Sequence, residues 1–344
     1  MFRSLLANSF AALLLAATVL AGAPAAQASL DITALQVTPR LDLRATRGGH
    51  MGDQVGIKMA EINLVAWISS GDSELVSLNL QHNLETPMTG RAEQMHFNNL
   101  YAVFNLGVGR PAVTVGQFVV PFGTLAEFDT HEVILQTPYA RTLGIRIDRG
   151  IKAEGRQDDW DWWTSLTTGD GRERHDGGWA LIARGARDWE MGNDLVRVGI
   201  SGLVGENMPV FPTNHMDMPM GLDDEVEHFD KWRLALDLDW LRGIDNIRAE
   251  LVFGGDNGDF VDGQWLYYEH PFSFDSDITV QADRWSQPDG ISHGVGVQYH
   301  RRIDDYSGLR LAAEKRWADH GGMSMSDDLF TIQYYRDWAW VPEF

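Results

Sequence analysis

The chain has 344 residues, 49 of them acidic against 28 basic, for a formal net charge of −21, and it contains no cysteine. That balance leaves no basic footprint for nucleic acid. The missing thiols exclude disulfides, thiolate metal sites, cysteine nucleophiles and C-x-x-C-H haem attachment.

Taken from the N-terminus, Met1–Ala28 reads as a secretory leader: a basic start at Arg3, an apolar run from Phe10 to Ala21, and Ala26-Gln27-Ala28 as a small-x-small cleavage pattern. The run is short of the ~20 residues of a spanning helix. Residues 29–344 are expected to form one domain. Its periodic segments have period two, the mark of strands whose side chains alternate between faces.

A first strand is expected near Leu35–Ala45. Ile62, Leu64, Ala66 and Ile68 then form an apolar stripe, and Val76, Leu78 and Leu80 alternate with Ser77, Asn79 and Gln81. Val196, Val198 and Ile200 alternate with residues that include Arg197 and Ser201. The clearest pattern runs from Trp232 to Phe253. Trp232, Leu234, Leu236, Leu238 and Trp240 alternate with Arg233, Ala235, Asp237 and Asp239. After Arg242–Asn246, Ile247, Ala249, Leu251 and Phe253 alternate with Arg248, Glu250 and Val252. A turn near Gly243–Ile244 places Asp239 opposite Arg248. Trp232 and Trp240 bracket the aliphatic stripe over roughly 26 Å, the height of an apolar band with aromatic girdles. Leu309, Leu311 and Ala313 repeat the pattern against Arg310, Ala312 and Glu314. Phe330, Ile332 and Tyr334 lead toward Trp338, Trp340 and a terminal Phe344, where Pro342 suggests a tail beyond the ladder.

Such segments number about sixteen, each near the ~10 residues of a membrane-spanning strand. Connections alternate in length. Ser69–Ser73, Gly107–Pro111, Gln157–Asp159, Asp188–Asn193 and Arg242–Asn246 are short; Glu85–Gln94, Gly123–Arg146, Glu206–Asp230 and Ala318–Asp327 are long. The expected fold is all-β: a transmembrane antiparallel barrel of about sixteen strands, with short periplasmic turns and long extracellular loops.

The run Val115-Gly116-Gln117-Phe118-Val119-Val120-Pro121-Phe122-Gly123 resembles a G-Q-F-x-x-P-F-G run of the phosphate-selective porin O/P family and its broader relatives. The segments Val198–Glu206 and Leu236–Gly258 are similar in strand-and-loop grammar. The resemblance implies a trimeric channel in the outer membrane of a Gram-negative bacterium, whose third outer loop, here Gly123–Arg146, narrows the pore. In charge the chain departs from the phosphate-selective members. Arg184, Arg197, Arg233, Arg248 and Arg310 on the lumen phase are interleaved with Asp237, Asp239, Glu250 and Glu314.

Within the long loop, Glu127, Asp129, His131 and Glu132 are followed by Arg141, Arg146 and Asp148. Folded inward, carboxylates there would face wall arginines across the pore and sort solutes by charge and dipole; solvated loop charges are the plainer reading. His215, Met216, Met218 and Met220 in one outer loop and His320, Met323 and Met325 in another offer imidazole and thioether, ligands suited to Cu(I), although methionine also serves as a flexible packing residue. Asp256, Asp259 and Asp262 are carboxylates in one connection, without EF-hand spacing for Ca²⁺. His131, His175 and His228 lie in separate segments, and neither G-x-S-x-G nor H-E-x-x-H occurs. The expected function is passive diffusion of small hydrophilic solutes or ions, without catalysis or cofactor, by a homotrimer in outer-membrane lipid. The alternatives are a sheath or scaffold for a periplasmic or cytochrome partner, and a copper uptake channel.

Overall fold

The computed structural model describes residues 30–48, 53–70, 73–85, 94–124, 134–135, 142–171, 177–210, 227–288, 290–320 and 322–340. The leader Met1–Ala28, Glu127, Asp129, His131, Glu132, Arg141, His175, His215, Met216, Met218, Met220 and the terminal Phe344 lie outside them.

Sixteen strands form the molecule. The first eight are β1 (Leu30–Gly48), β2 (Gln54–Ser70), β3 (Ser73–Glu85), β4 (Gln94–Asn105), β5 (Ala112–Val119), β6 (Ile147–Gln157), β7 (Trp160–Thr167) and β8 (Trp179–Met191). The rest are β9 (Asp194–Val210), β10 (Glu227–Arg242), β11 (Asp245–Asp256), β12 (Asp259–Ser273), β13 (Ser276–Gln287), β14 (Gly290–Asp304), β15 (Ser307–His320) and β16 (Met323–Asp337). Each pairs antiparallel with its chain neighbours, and β1 pairs with β16, Arg40 opposite Asp337 through Gly48 opposite Leu329. Closure gives each strand a hydrogen-bonded neighbour on both sides, as a strand assembly in lipid requires.

Burial is inverted relative to a water-soluble protein. On β10, Leu234 and Leu236 are 52% and 50% exposed, whereas Arg233 and Asp237, which flank them on the opposite face, are 1% and 2% exposed. Ile200, Leu251, Leu266, Val297, Leu311 and Ile332 continue the exposed apolar band around the barrel. Each such side chain gains about 1.5–3 kcal/mol by leaving water for an apolar medium, so the outer wall is built for hydrocarbon. Trp232 and Trp317 mark one border of the band, and Trp160, Trp189 and Trp338 the other.

The β10–β11 register places Asp239 opposite Arg248 and Leu236 opposite Leu251, with Gly243 at φ 61° in the turn. The rim that carries this turn also carries the tight connections at 158–159, 192–193, 274–275 and 305–306; it is called the turn rim, and the opposite end the loop rim.

Several segments expected as outer loop are ladder. β9 runs to Val210 and β10 starts at Glu227, while β15 and β16 reach His320 and Met323. Asn257 and Gly258 are both at positive φ (49° and 95°), the type I′ geometry that closes a two-residue hairpin. Asp256 and Asp259 therefore face each other as strand ends. Asp256 binds Arg233 inside the barrel, and Asp262 binds Arg284. Those pairings divide the three aspartates, so they do not form a calcium loop. The tail is also partly ladder: Trp340 and Val37 exchange backbone hydrogen bonds of 2.9 Å each way.

Candidate functional site: the lumen

The lumen is the enclosed space into which the charged strand faces point, and the segment between β5 and β6 enters it. The ladder first extends by one bond, Val120 N to Arg146 O at 2.9 Å. Pro121-Phe122-Gly123 then turns inward, with Gly123 at φ +57°. Gly123 N donates to Ser201 Oγ on β9 (2.9 Å), and Thr124 N donates to Glu250 Oε2 on β11 (2.8 Å). A Cβ on Gly123 would overlap the Glu250 carboxylate, so close approach as well as backbone conformation calls for glycine. Gly116, at the start of the same run, has φ +134°, and a Cβ there would overlap the Leu100 carbonyl oxygen across the β4–β5 ladder.

Farther along, Ile134 N donates to Gln298 Oε1 on β14 (2.8 Å), and Leu135 packs on Trp265 and Tyr267 of β12. In a ring of sixteen, β14 stands nearly opposite β5, so the segment reaches across the lumen. On the way back Arg233 Nε donates to Thr142 O (2.6 Å) and Lys231 Nζ to Leu143 O (3.2 Å). Arg233 is itself held by Asp256 (2.7 Å), with its guanidinium 5.6 Å from the centre of the Trp285 ring.

An apolar foothold receives these ends. Val120, Phe122, Leu143 and Ile145 are buried with Ala180, Ile182, Leu203, Met208, Ala235, Val252, Val261 and Trp285 from β8 to β13. The last eight residues were not anticipated as site residues. Their signal lay in the lapses of alternation, as in Ala180-Leu181-Ile182 and Leu234-Ala235-Leu236, where the lumen face is apolar as well as the outer one.

Every wall residue expected on the lumen phase that the structure describes is paired. Arg184 and Asp237, both buried, meet at 2.7 Å. Arg197 bridges Asp161 (2.8 Å) and Asp188 (3.2 Å), and Arg248 meets Asp239 at 3.2 Å. Arg184 and Arg197 lie 5.3 and 5.5 Å from the Trp163 ring centre. Arg310 donates to Gln333 (3.1 Å) and stacks 3.9 Å from the Tyr335 ring centre. Glu314 pairs with Arg316, which also holds Asp283 at 3.0 Å. Arg316, Asp283, His300 and Tyr335 belong to the same wall and went unnoticed in the sequence, although each sits on the charged phase of its strand.

Of the methionine and histidine positions, His320 and Met323 face each other in the β15–β16 ladder, and Met325 faces Ala318. Among the described residues no group of three or more His, Asp or Glu side chains is placed to hold a metal ion.

No protein-family model matches the chain, and no curated protein matches it in sequence. Similarity appears in solved structures. An outer-membrane-expressed OmpT of Vibrio cholerae superposes with a TM-score of 0.60 at 11% identity, covering 92% of this chain and 99% of that one. The fold is that of an outer-membrane porin. An anion-selective porin from Comamonas acidovorans gives 0.58 at 9% identity over 90% of this chain and 100% of the other. OccK2 (OpdF) of Pseudomonas aeruginosa gives 0.51 at 10% identity over 88% and 97%. The Vibrio protein has also been solved in a trimer form.

Proposed function

We propose that this chain is an outer-membrane porin through which small hydrophilic solutes and ions diffuse passively, without catalysis. The observation that carries this reading is the β5–β6 segment, which crosses a charged lumen and is bonded to β9, β10, β11 and β14. A wall lined with guanidinium and carboxylate groups favours water and polar solutes, and a segment across it sets the size limit. In this reading the turn rim faces the periplasm and the loop rim the outside.

The constriction is formed by Gly123–Arg146 against Arg184, Arg197, Arg233, Arg248, Asp237, Asp239 and Glu250, with Arg310 and Glu314 on the far wall. Glu127, Asp129, Glu132 and Arg141 supply the loop's own charges. The barrel assembles as a homotrimer in lipid. Kinship with the phosphate-selective family rests on the Gly116–Gly123 run, while the alternation of arginine with carboxylate supports a general rather than a phosphate-specific channel. A segment that already crosses the lumen counts against a threaded cytochrome.

Swelling of liposomes that carry the refolded barrel tests the reading. Small sugars enter and cause swelling, and the rate falls steeply with solute size. A folded barrel that leaves liposomes impermeable to every sugar contradicts it.

A further inference from the structure

At the turn-side border of the apolar band the outer wall repeats one arrangement, a guanidinium beside a tryptophan ring. Arg187 lies 5.4 Å from the centre of the Trp189 ring, Arg242 5.4 Å from that of Trp240, and Arg336 5.5 Å from that of Trp338. A cation on an interfacial tryptophan sits where hydrocarbon gives way to headgroups. Arg187 is answered by Asp159 at 2.8 Å. Arg242 and Arg336, and Arg301 on β14, form no ion pair among the described residues.

Two of these three share one stretch of wall. Arg301 lies on the outward face of β14 with the exposed Val297, Tyr299 and Ile303, while its neighbours His300 and Arg302 line the lumen. Arg336 on β16 likewise stands between the lumen-lining Tyr335 and Asp337. Arg301 is opposite Leu309, Leu309 opposite Tyr334, and Ser307 opposite Arg336. The two arginines are therefore two strands and two residues apart on one face, with about 12 Å between their Cα atoms. Each is free to reach a phosphate of its own, the anion that guanidinium matches best. Deeper in the band, Val297, Leu311 and Ile332 offer an exposed apolar wall for acyl chains.

No carboxylate stands on the outward phase of Val297–Ile303, Ser307–Leu311 or Ile332–Arg336. Asp304, in the turn beyond, accepts the Tyr306 amide (2.8 Å) and feels the charge of Arg336 without pairing with it. Toward the loop rim the wall from β12 to β16 differs. There the outward Arg284 pairs with Asp262, and Lys315 with Asp328 at 3.2 Å. Cations matched by the protein's own carboxylates at one border and left open at the other call for an anion supplied by the membrane on the turn side.

We propose that the outward face of β14–β16 holds anionic phospholipid of the periplasmic leaflet, with phosphates on Arg301 and Arg336 and acyl chains against Val297, Leu311 and Ile332. The inference rests on the porin reading for the placement of the turn rim in the periplasm.

The test is native mass spectrometry of the folded full-length barrel, released from detergent after incubation with dioleoyl phosphatidylglycerol or dioleoyl phosphatidylcholine. The two lipids share their acyl chains and differ in net charge. Phosphatidylglycerol is retained at least about tenfold more tightly, each arginine contributing about fivefold. Arg301→Gln with Arg336→Gln removes the preference, whereas Arg242→Gln, elsewhere on the girdle, leaves it. Equal retention of both lipids by the unaltered barrel overturns the proposal without recourse to any variant. Loss of the preference in Arg242→Gln, or its survival in the double variant, overturns the placement on β14–β16. Displacement of phosphatidylglycerol by millimolar inorganic phosphate makes this a site for the free anion instead. Absence of any preference, with loss of oligomers in the double variant, makes it a face for a second copy of the chain. Conductance separates the two readings: an open pore that retains no phosphatidylglycerol sinks this inference alone, and a silent barrel that retains it sinks the pore alone.

Discussion

Gly123 and Glu250 occupy positions that leave room between them for no side chain beyond hydrogen. The Glu250 carboxylate accepts the Thr124 amide at 2.8 Å, and a Cβ on Gly123 would overlap it. A sharp turn out of β5 is thereby joined to a strand six places round the barrel.

That relationship makes Gly123 the sensitive point of the crossing segment. Gly123→Ala meets a positive φ and an occupied volume at once, a cost of about 1–3 kcal/mol. The expected result is a lower urea midpoint of unfolding, with passage of larger sugars in liposome swelling because the segment loses its seat. Glu250→Gln retains a carbonyl acceptor for the Thr124 amide and should change the sugar size limit less than Gly123→Ala does.

The Arg184–Asp237 pair is almost wholly removed from solvent, with side-chain exposures of 3% and 0%. Asp237→Asn leaves the guanidinium without its counter-charge, and breaking a buried pair from one side costs about 3–5 kcal/mol. In the folded fraction, the reversal potential under a salt gradient should move toward anion selectivity, since a positive charge on the wall is uncovered. A shift toward cations would contradict the assignment of this pair to the lumen.

The outer wall is tested at Leu236. Leu236→Arg places a cation in the apolar band, at about 2–4 kcal/mol near the bilayer midplane and less toward its borders. Reversible denaturant unfolding in lipid vesicles measures it. The neighbouring Ala235, on the lumen side, should lose less when changed to serine, because its side chain does not meet hydrocarbon.

The barrel and its two faces were legible because alternation is a local property. Asp239 opposite Arg248, and the outward phase of Leu234, Leu236 and Leu311, follow from period two and one turn. Asn257-Gly258 was an equally local signal for a tight hairpin, and its weight was missed among the surrounding aspartates. The anchors of the crossing segment are of another kind. Ser201, Gln298, Lys231 and Arg233 meet it over separations of 78 to 164 residues, and no periodicity reports which wall residue an irregular segment will reach. The apolar foothold from Ala180 to Trp285 lay in breaks of the pattern that gave the strands themselves.

The central claim, a water-filled lumen narrowed by the β5–β6 segment, is most directly tested by single-channel recording from the refolded barrel in a planar bilayer, with Arg233→Met recorded beside it. Arg233 ties Thr142 to the wall, so the variant should free the returning arm while the barrel remains folded. Discrete open steps in the unaltered protein, and larger or more fluctuating steps in Arg233→Met, are the predicted result. A correctly folded barrel with no steps, or identical steps in both proteins, would contradict it.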